Sequence, residues 1–362
     1  GLGDVYKRQG KNTGNGTMPG YRPKTHVRCR TGECVAAENG GKKMKTLKLY
    51  YAGFWENFNV EDNFFSKILK KRYEIVLDPV DPDFVICSPL GNPFEYMRYD
   101  CPRIMYTAEF ISADFTAIDY FIGYDDISFG DRAHRFPYFL YDCFDYYKGP
   151  PTEAEARKML EQKEYFCNYI FGHDTQLGIR EKILGGLSAY KRVECAGTHR
   201  NNMPGGMRYS MMEKLPFMEK CKFTICAESV CYPGYTSEKI GHAFQAHTVP
   251  IYFGDPDVNR VFNKKAFLNY NAFGSIEELV DRVAEIDQND DLYVSLLCES
   301  RYNAADYEEK KFKGLEEFLF HIFDQEKEQA YRRPRYYRSY WHEVYLEEYH
   351  NAVSYTHLRA HE

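Results

Sequence analysis

From Leu47 onward the chain alternates short apolar runs with amphipathic stretches. Apolar runs of about four to eight residues read as strands, and stripes at i, i+3 and i+4 read as helices. On that basis 47–52, 73–77, 84–87, 103–107 and 120–123 are predicted strands, with a helix over 63–71. The stretch Lys148-Gly-Pro-Pro-Thr152 can continue neither element, since each proline fixes φ and removes a donor, and a charged helical run follows it. The alternation then restarts. Strands are predicted at 165–171, 192–196, 223–227 and 249–253, and helices at 177–190 and 237–246, the second behind a Thr236 cap. Ser275 and Glu278 have the spacing of a capping box, ahead of an apolar stripe of Ile276, Leu279, Val280, Val283 and Ile286.

Two successive β/α series split by a Pro-Gly break predict an α/β protein of two facing, doubly wound, Rossmann-like domains with a cleft between them. The expected organisation is a basic tail at 1–44, a first domain at 45–150, a second at 151–325, and a helical segment at 326–351. Residues 1–9 and 352–362 resemble translated adapter sequence and are left out of the functional argument.

Composition narrows the class. With 44% hydrophobic and 28% charged residues the chain is an ordinary globular protein. The tail carries nine Lys or Arg against three acids, while the formal charge of the whole is −6. There is thus no general basic surplus, and no nucleic-acid partner is expected. No run of about 18 apolar residues is present to predict a membrane span. The eleven cysteines lack any CxxC pair, so reduced thiols and a cytoplasmic location are expected. The aromatic count is unusual, at 32 Tyr and 26 Phe against 2 Trp. Tyrosine joins an apolar face to a polar tip, which suits hydroxyl-rich ring ligands and equally suits a Tyr-rich core.

The densest chemistry lies in Phe223–Asp257. Lys239 falls in the first turn of a predicted helix, where the macrodipole disfavours a cation. A helix N-terminus beside a lysine can hold an anion such as phosphate, although a surface pair with a neighbouring acid would also explain it. Neither GxGxxG nor GxxxxGK[ST] occurs, so any phosphate must be held by side chains and a helix end. Asp255-Pro-Asp257 imitates a DxD metal motif but follows a predicted strand; it is read as a turn with Asp255 near the ligand and no metal bound. His242 and His247 lack HExxH spacing and are read as structural.

The segment Tyr232-Pro-Gly-Tyr-Thr-Ser-Glu-Lys-Ile240, followed by Val249-Pro-Ile-Tyr-Phe-Gly-Asp255, resembles the signature of the α-1,3-fucosyltransferases, glycosyltransferase family 10. The likeness continues through Asp83–Gly91, Arg103–Glu109, Asp119–Asp125, Arg132–Pro137 and Ile179-Arg180, covering roughly residues 46–320. It implies the GT-B architecture and an inverting, metal-independent transfer of L-fucose from GDP-fucose to the 3-OH, or the 4-OH, of a GlcNAc-containing acceptor. Arg180 and Lys239 match the cations that neutralise the departing β-phosphate. Glu109 matches the carboxylate proposed as general base. Glu238 matches a residue that bonds ribose or balances charge on the fucosyl ring, and Glu228, Ser229 and Tyr235 fall at the donor. Ser229 stands where bacterial relatives commonly have Asn, and Ser237 where the family has Thr.

Two other classes remain open at this point. A glycoside hydrolase could use Glu109 and Glu238 as its carboxylate pair, which leaves Arg180 and Lys239 without a task. A glycan-binding protein could use its tyrosines as platforms and would ignore GDP. The Arg- and Tyr-rich stretch 326–350 is expected to pack back across the first domain; a peripheral contact with an anionic membrane is the alternative.

Overall fold

The protein is described from a computed structural model, in which residues 44–92, 94–142, 149–175, 177–204, 211–335, 344, 345 and 348 are described. Residues 1–43, 143–148 and most of 336–362 therefore lie outside the described residues.

The first half runs β1 (Lys45–Ala52), α1 (Phe64–Leu69), β2 (Tyr73–Leu77), β3 (Phe84–Cys87), β4 (Arg103–Tyr106), β5 (Tyr120–Gly123), β6 (Ala133–Arg135) and α2 (Tyr138–Asp142). Its six strands pair in the order β2-β1-β3-β4-β5-β6, every pairing parallel. The second half runs α3 (Glu153–Glu161), β7 (Tyr165–Tyr169), α4 (Ile179–Tyr190), β8 (Val193–Cys195), α5 (Met211–Glu219), β9 (Cys221–Ala227), α6 (Glu238–Gln245), β10 (Val249–Phe253) and β11 (Leu268–Asn269). After these come α7 (Ile276–Asp287), α8 (Asp290–Leu297), α9 (Tyr307–Phe323) and α10 (Lys327–Ala330). The second sheet has the order β11-β10-β9-β7-β8 and is also parallel. Both sheets are doubly wound, as the sequence predicts. In each, the order reverses beside the first strand of its series, between β1 and β3 and between β7 and β9. Ligands of open α/β sheets bind outside the carboxyl ends at such switch points.

The central strands are apolar on both faces because helices cover both. All four residues of β3, β4 and β5 and all five of β10 are buried. Helix α7 lays Leu279, Val283 and Ile286 on the second sheet, as its stripe requires. Only half of its predicted capping box forms. Ser275 Oγ accepts from Glu278 N at 3.2 Å, but the Glu278 carboxylate reaches back one residue too far, to Gly274 N at 2.8 Å.

Helix α9 lies inside the stretch assigned to the second half, yet Leu315, Leu319, Ile322 and Phe323 join the core beneath the first sheet. Each such side chain contributes about 1.5–3 kcal/mol on burial. Past α10 the chain is extended and stays on the first sheet. Asp119, fully buried, accepts from Arg332 N at 2.7 Å and Arg333 N at 2.8 Å, and its carboxylate pairs with the Arg333 guanidinium. Residues 327–335 thus pack on the first sheet; the aromatic residues from Tyr336 to Tyr340 lie outside the described residues. Phe139 of α2, Phe244 of α6 and Phe262 belong to this same core, so the two halves share apolar contact as well as a cleft.

Candidate active site

The switch point of the second sheet brings three segments together. After β7 the chain loops into α4, and Arg180 sits at that helix's second position, 3% exposed. A surface arginine is excluded by this burial. Arg180 Nε donates to the carbonyl of Ala227, the last residue of β9, at 3.1 Å, and Nη1 donates to His173 O at 2.9 Å. The guanidinium lies 4.3 Å from the Phe171 ring centroid. Burial lowers the Arg180 pKa first, with Glu228 and other acidic groups working against it. A guanidinium remains charged under such a shift. Nη2 has no hydrogen-bond partner among the described residues.

After β9 comes the signature loop and α6. Ser237, not Thr236, is the N-cap residue, and its hydroxyl makes no capping bond. The Thr236 hydroxyl instead faces Asp255, at 3.4 Å. The organiser is Glu228, which is completely buried. Its carboxylate accepts from Ser237 N at 2.8 Å, from Ser237 Oγ at 2.8 Å and from Lys239 Nζ at 3.0 Å. This explains a cation in the first turn of a helix: the buried carboxylate offsets the unfavourable dipole and desolvation. Burial alone would lower the Lys239 pKa, but Glu228, Glu238 and Tyr235 together raise it. An ammonium has three donors. Glu228 and Ser237 Oγ, at 2.8 Å, take two of them, and the third can meet an anion.

Glu238 lies 3.7 Å from Lys239 Nζ. Burial opposes its ionisation, but Lys239, Lys214 and His242 outweigh that and bring its pKa down to about 2. Its carboxylate is therefore held ionised at neutral pH. His242 is structural, as expected, but its role is larger than packing. Its Nε2 bonds Asp142 of α2 at 2.6 Å, while Nδ1 meets Lys214 Nζ of α5 at 3.0 Å, so one ring ties α5, α6 and the first half together.

Asp255 holds the turn that the sequence predicts after β10. Its carboxylate accepts from Gly234 N at 2.9 Å, Thr236 Oγ1 at 3.4 Å and Asp257 N at 2.8 Å, holding the signature loop in shape. Gly234 has φ +83°, and a side chain there would meet Tyr124 O at 2.9 Å. Glycine is required on both counts. Arg135 clamps the same spot, donating from Nε to Tyr124 O at 3.0 Å and from Nη2 to Gly234 O at 3.2 Å. The second half's signature loop is thereby fixed against the first half.

Glu109 enters from the first sheet, just past the carboxyl end of β4. Its backbone is braced by Thr107, whose hydroxyl accepts from Glu109 N at 3.1 Å, and its carboxylate has no hydrogen-bond partner among the described residues. The residue is exposed, yet both halves crowd it. Desolvation raises its pKa first; Lys239 pulls it down, and Glu238 and Glu228 push it up. Those three charges belong to the second half, so Glu109 faces the α6 terminus across the cleft. Tyr235 is 4% exposed, its ring packed 5.1 Å from Tyr124 and 5.4 Å from Phe110. Its ring serves packing between the halves. Ser229 is exposed on the loop after β9.

Residues 49–142 match the α-(1,3)-fucosyltransferase FucT N-terminal domain, and residues 160–345 match the glycosyltransferase family 10 (fucosyltransferase) C-terminal domain. The chain belongs to glycosyltransferase family 10. It is an α-1,3-fucosyltransferase and its fold is GT-B. An α-(1,3)-fucosyltransferase FucT of Helicobacter pylori is 26% identical over 326 residues, covering 78% of this chain and 67% of that protein. A crystal structure of an α1,3-fucosyltransferase superposes with a TM-score of 0.61 at 25% identity, over 76% of this chain and 91% of the other. A second, of an α1,3-fucosyltransferase with GDP, has a TM-score of 0.63 at 23% identity, over 84% and 96% of the two chains.

Of the residues proposed from sequence, Arg180, Glu228, Tyr235, Glu238 and Lys239 converge around the second switch point, and Glu109 faces them. Glu228, completely buried, bonds Ser237 and Lys239. Sequence reasoning missed Lys214, Asp142, Arg135 and Phe171. Arg135 lies inside the Arg132–Pro137 likeness, but no local signal marks Lys214, Asp142 or Phe171, because each acts through a contact made by chain return. Among the described residues, no group of three His, Cys, Asp or Glu side chains has metal-binding geometry, and no helix is long and apolar enough to cross a membrane.

Proposed function

We propose that this enzyme moves L-fucose from GDP-fucose to the 3-OH of a GlcNAc-containing glycan, with inversion at the anomeric carbon. The observation that carries the reading is the arrangement of Arg180 Nη2 and Lys239 Nζ at one switch point, each with a donor to spare, opposite an unbonded Glu109 carboxylate.

The acceptor O–H bond breaks as its oxygen attacks the anomeric carbon, and Glu109 takes the proton. The bond from that carbon to the β-phosphate oxygen breaks with its electron pair leaving on GDP. Arg180 and Lys239 meet the charge developing on the phosphate, where electrostatic stabilisation contributes most. Glu238, held ionised, offsets positive charge on the fucosyl ring. The raised pKa of Glu109 makes it a better base than an ordinary carboxylate, and its opposition to the ionised Glu238 divides the labour of the two acids. The chemistry then needs no metal, since two protein cations serve the phosphate and Asp255 is committed to the loop.

The test is incubation with GDP-fucose and a panel of N-acetyllactosamine and type 1 acceptors, with and without EDTA, read by mass spectrometry. One fucose should be added to an acceptor at equal rate in both arms. Release of free fucose without any glycosylated product would reject the assignment in favour of hydrolysis. Loss of transfer on chelation, restored by Mn²⁺, would reject metal independence.

A further inference from the structure

The contacts that hold Glu238 begin on a different helix. Lys214 is the fourth residue of α5 and precedes Met218 by about one turn, so the two share a face. Met218 is buried in one core with Ile240, Ala243 and Phe244 of α6. That packing brings Lys214 against α6, where its Nζ meets His242 Nδ1 at 3.0 Å. Lys214 and Lys239 also line one small space, of about 20 Å³, beside Asn168 and Thr224.

The partners of His242 decide where its proton sits. An ammonium only donates, so Nδ1 accepts, and the neutral ring carries its proton on Nε2. That N–H donates to Asp142 Oδ2 of α2, 2.6 Å away. Burial first, and then Lys214, keep the His242 pKa below its usual value against the opposing pull of Asp142 and Glu238. Asp142 thus orients the ring, and the ring holds the ammonium.

Lys214 brings a charge as well as a hydrogen bond. Glu238 and His242 stand at i and i+4 on α6 and so lie on one face of it. Lys239, the nearer cation, spends two N–H bonds on Glu228 and Ser237 and approaches Glu238 only to 3.7 Å. After Lys239, Lys214 does most to keep the Glu238 carboxylate ionised against burial. A carboxylate short of compensating charge in such a place takes up a proton or turns toward water. Either outcome removes the negative charge from beside the fucosyl ring.

We propose that Lys214 is a positioning residue for the transfer: anchored through His242 by Asp142, it fixes the Glu238 carboxylate at the reacting sugar. The inference rests on the fucosyl-transfer reading above, in which Glu238 offsets charge on that sugar. It adds a residue that acts through Glu238 rather than on a substrate. Because Asp142 belongs to the first half, the charge at the donor is fully set only while the two halves are in contact.

The test is a double-mutant cycle on kcat, read on the plateau of the pH profile, pairing Lys214→Met with Glu238→Gln. Lys214→Met keeps most of the apolar stem and removes the charge. It should lower kcat about tenfold, within the range for neighbours in one charged network, while GDP affinity by calorimetry changes less than about twofold. Lys214→Arg should recover most of the loss. In the Glu238→Gln background, where no carboxylate is left to hold, Lys214→Met should change kcat less than about twofold. Asp142→Ala reaches the same network from the first half and should follow the same pattern, so the cycle can be closed even where Lys214→Met does not fold. Losses that multiply in the double variants overturn the proposal, as does wild-type kcat in Lys214→Met; both leave fucosyl transfer standing. Undiminished kcat in Glu238→Gln removes the task given to Glu238, and the proposal with it. A wild type that binds GDP but fucosylates no acceptor overturns the transfer reading itself.

Discussion

Replacing Glu109 with Gln isolates the proton-transfer step. Gln keeps the size and one hydrogen-bonding oxygen but cannot take a proton. A general base contributes about 10²–10⁴-fold, equivalent at about 1.36 kcal/mol per decade to roughly 3–5 kcal/mol of barrier. Donor affinity should barely move, because the Glu109 carboxylate bonds to none of the residues around Arg180 and Lys239. The structure also dictates the pH profile. Desolvation, Glu238 and Glu228 raise the Glu109 pKa, so the acid limb of kcat/KM should lie above the ordinary carboxylate range in the wild type and vanish in Glu109→Gln. Neighbouring charges supply an internal check. Glu238→Gln removes a charge that raises this pKa and should move the limb to lower pH; Lys239→Met removes one that lowers it and should move the limb up. The assay is transfer to a fluorescent acceptor at saturating donor, from about pH 4 to 9, with GDP binding by calorimetry. A Glu109→Gln enzyme within a few-fold of wild type, with its acid limb intact, would refute the assignment. So would a large loss of GDP affinity, which would make Glu109 a donor ligand.

Arg180→Ala and Lys239→Ala should each weaken GDP binding as well as turnover, since phosphate carries charge in the ground state too; calorimetry decides. Glu228→Ala should do so at second hand while also unfolding more easily in urea, by about 3–5 kcal/mol, because it strands Lys239 and the Ser237 N–H. Arg333→Ala leaves Asp119 buried without its cation and should cost a similar amount in the same titration, with GDP affinity unchanged. Glu238 has a folded pKa of about 2 against an ordinary 4.5, so its stabilisation is complete above about 4.5 and lost as pH falls toward 2. Acid unfolding followed by circular dichroism should accordingly be shallower in Glu238→Gln over that window.

Strands and helices were legible wherever their cause is local. The period of apolar positions places β3, β5 and β10 to the residue, since a strand buried on both faces needs nothing more than a short apolar run between breakers, and it places the half-exposed edge strand β2 as well. Helix ends were less legible. Thr236 and Ser237 are equally good caps by type, and the choice fell to Asp255 and Glu228, which draw their side chains elsewhere. Helix α9 has a clear apolar stripe, but a stripe does not say which sheet it will cover.

The candidate site divides in the same way. A lysine in a first helical turn was visible as a broken local rule, and the motif around it carried the family. Its compensation by Glu228 spans 11 residues, the Arg180 bond to Ala227 spans 47, the His242 bond to Asp142 spans 100, and the Arg333 pair with Asp119 spans 214. Periodicity and capping act within a turn or two of chain, so they specify elements. Contacts between residues so far apart form only when whole sheets have assembled, and their energies come from desolvation and charge that no single segment possesses. The sequence by itself determined the two β/α series and the residues able to do the chemistry. The tertiary structure decided which of them are buried, which charges they face, and that Glu109 lies within the electrostatic reach of Lys239 across a cleft.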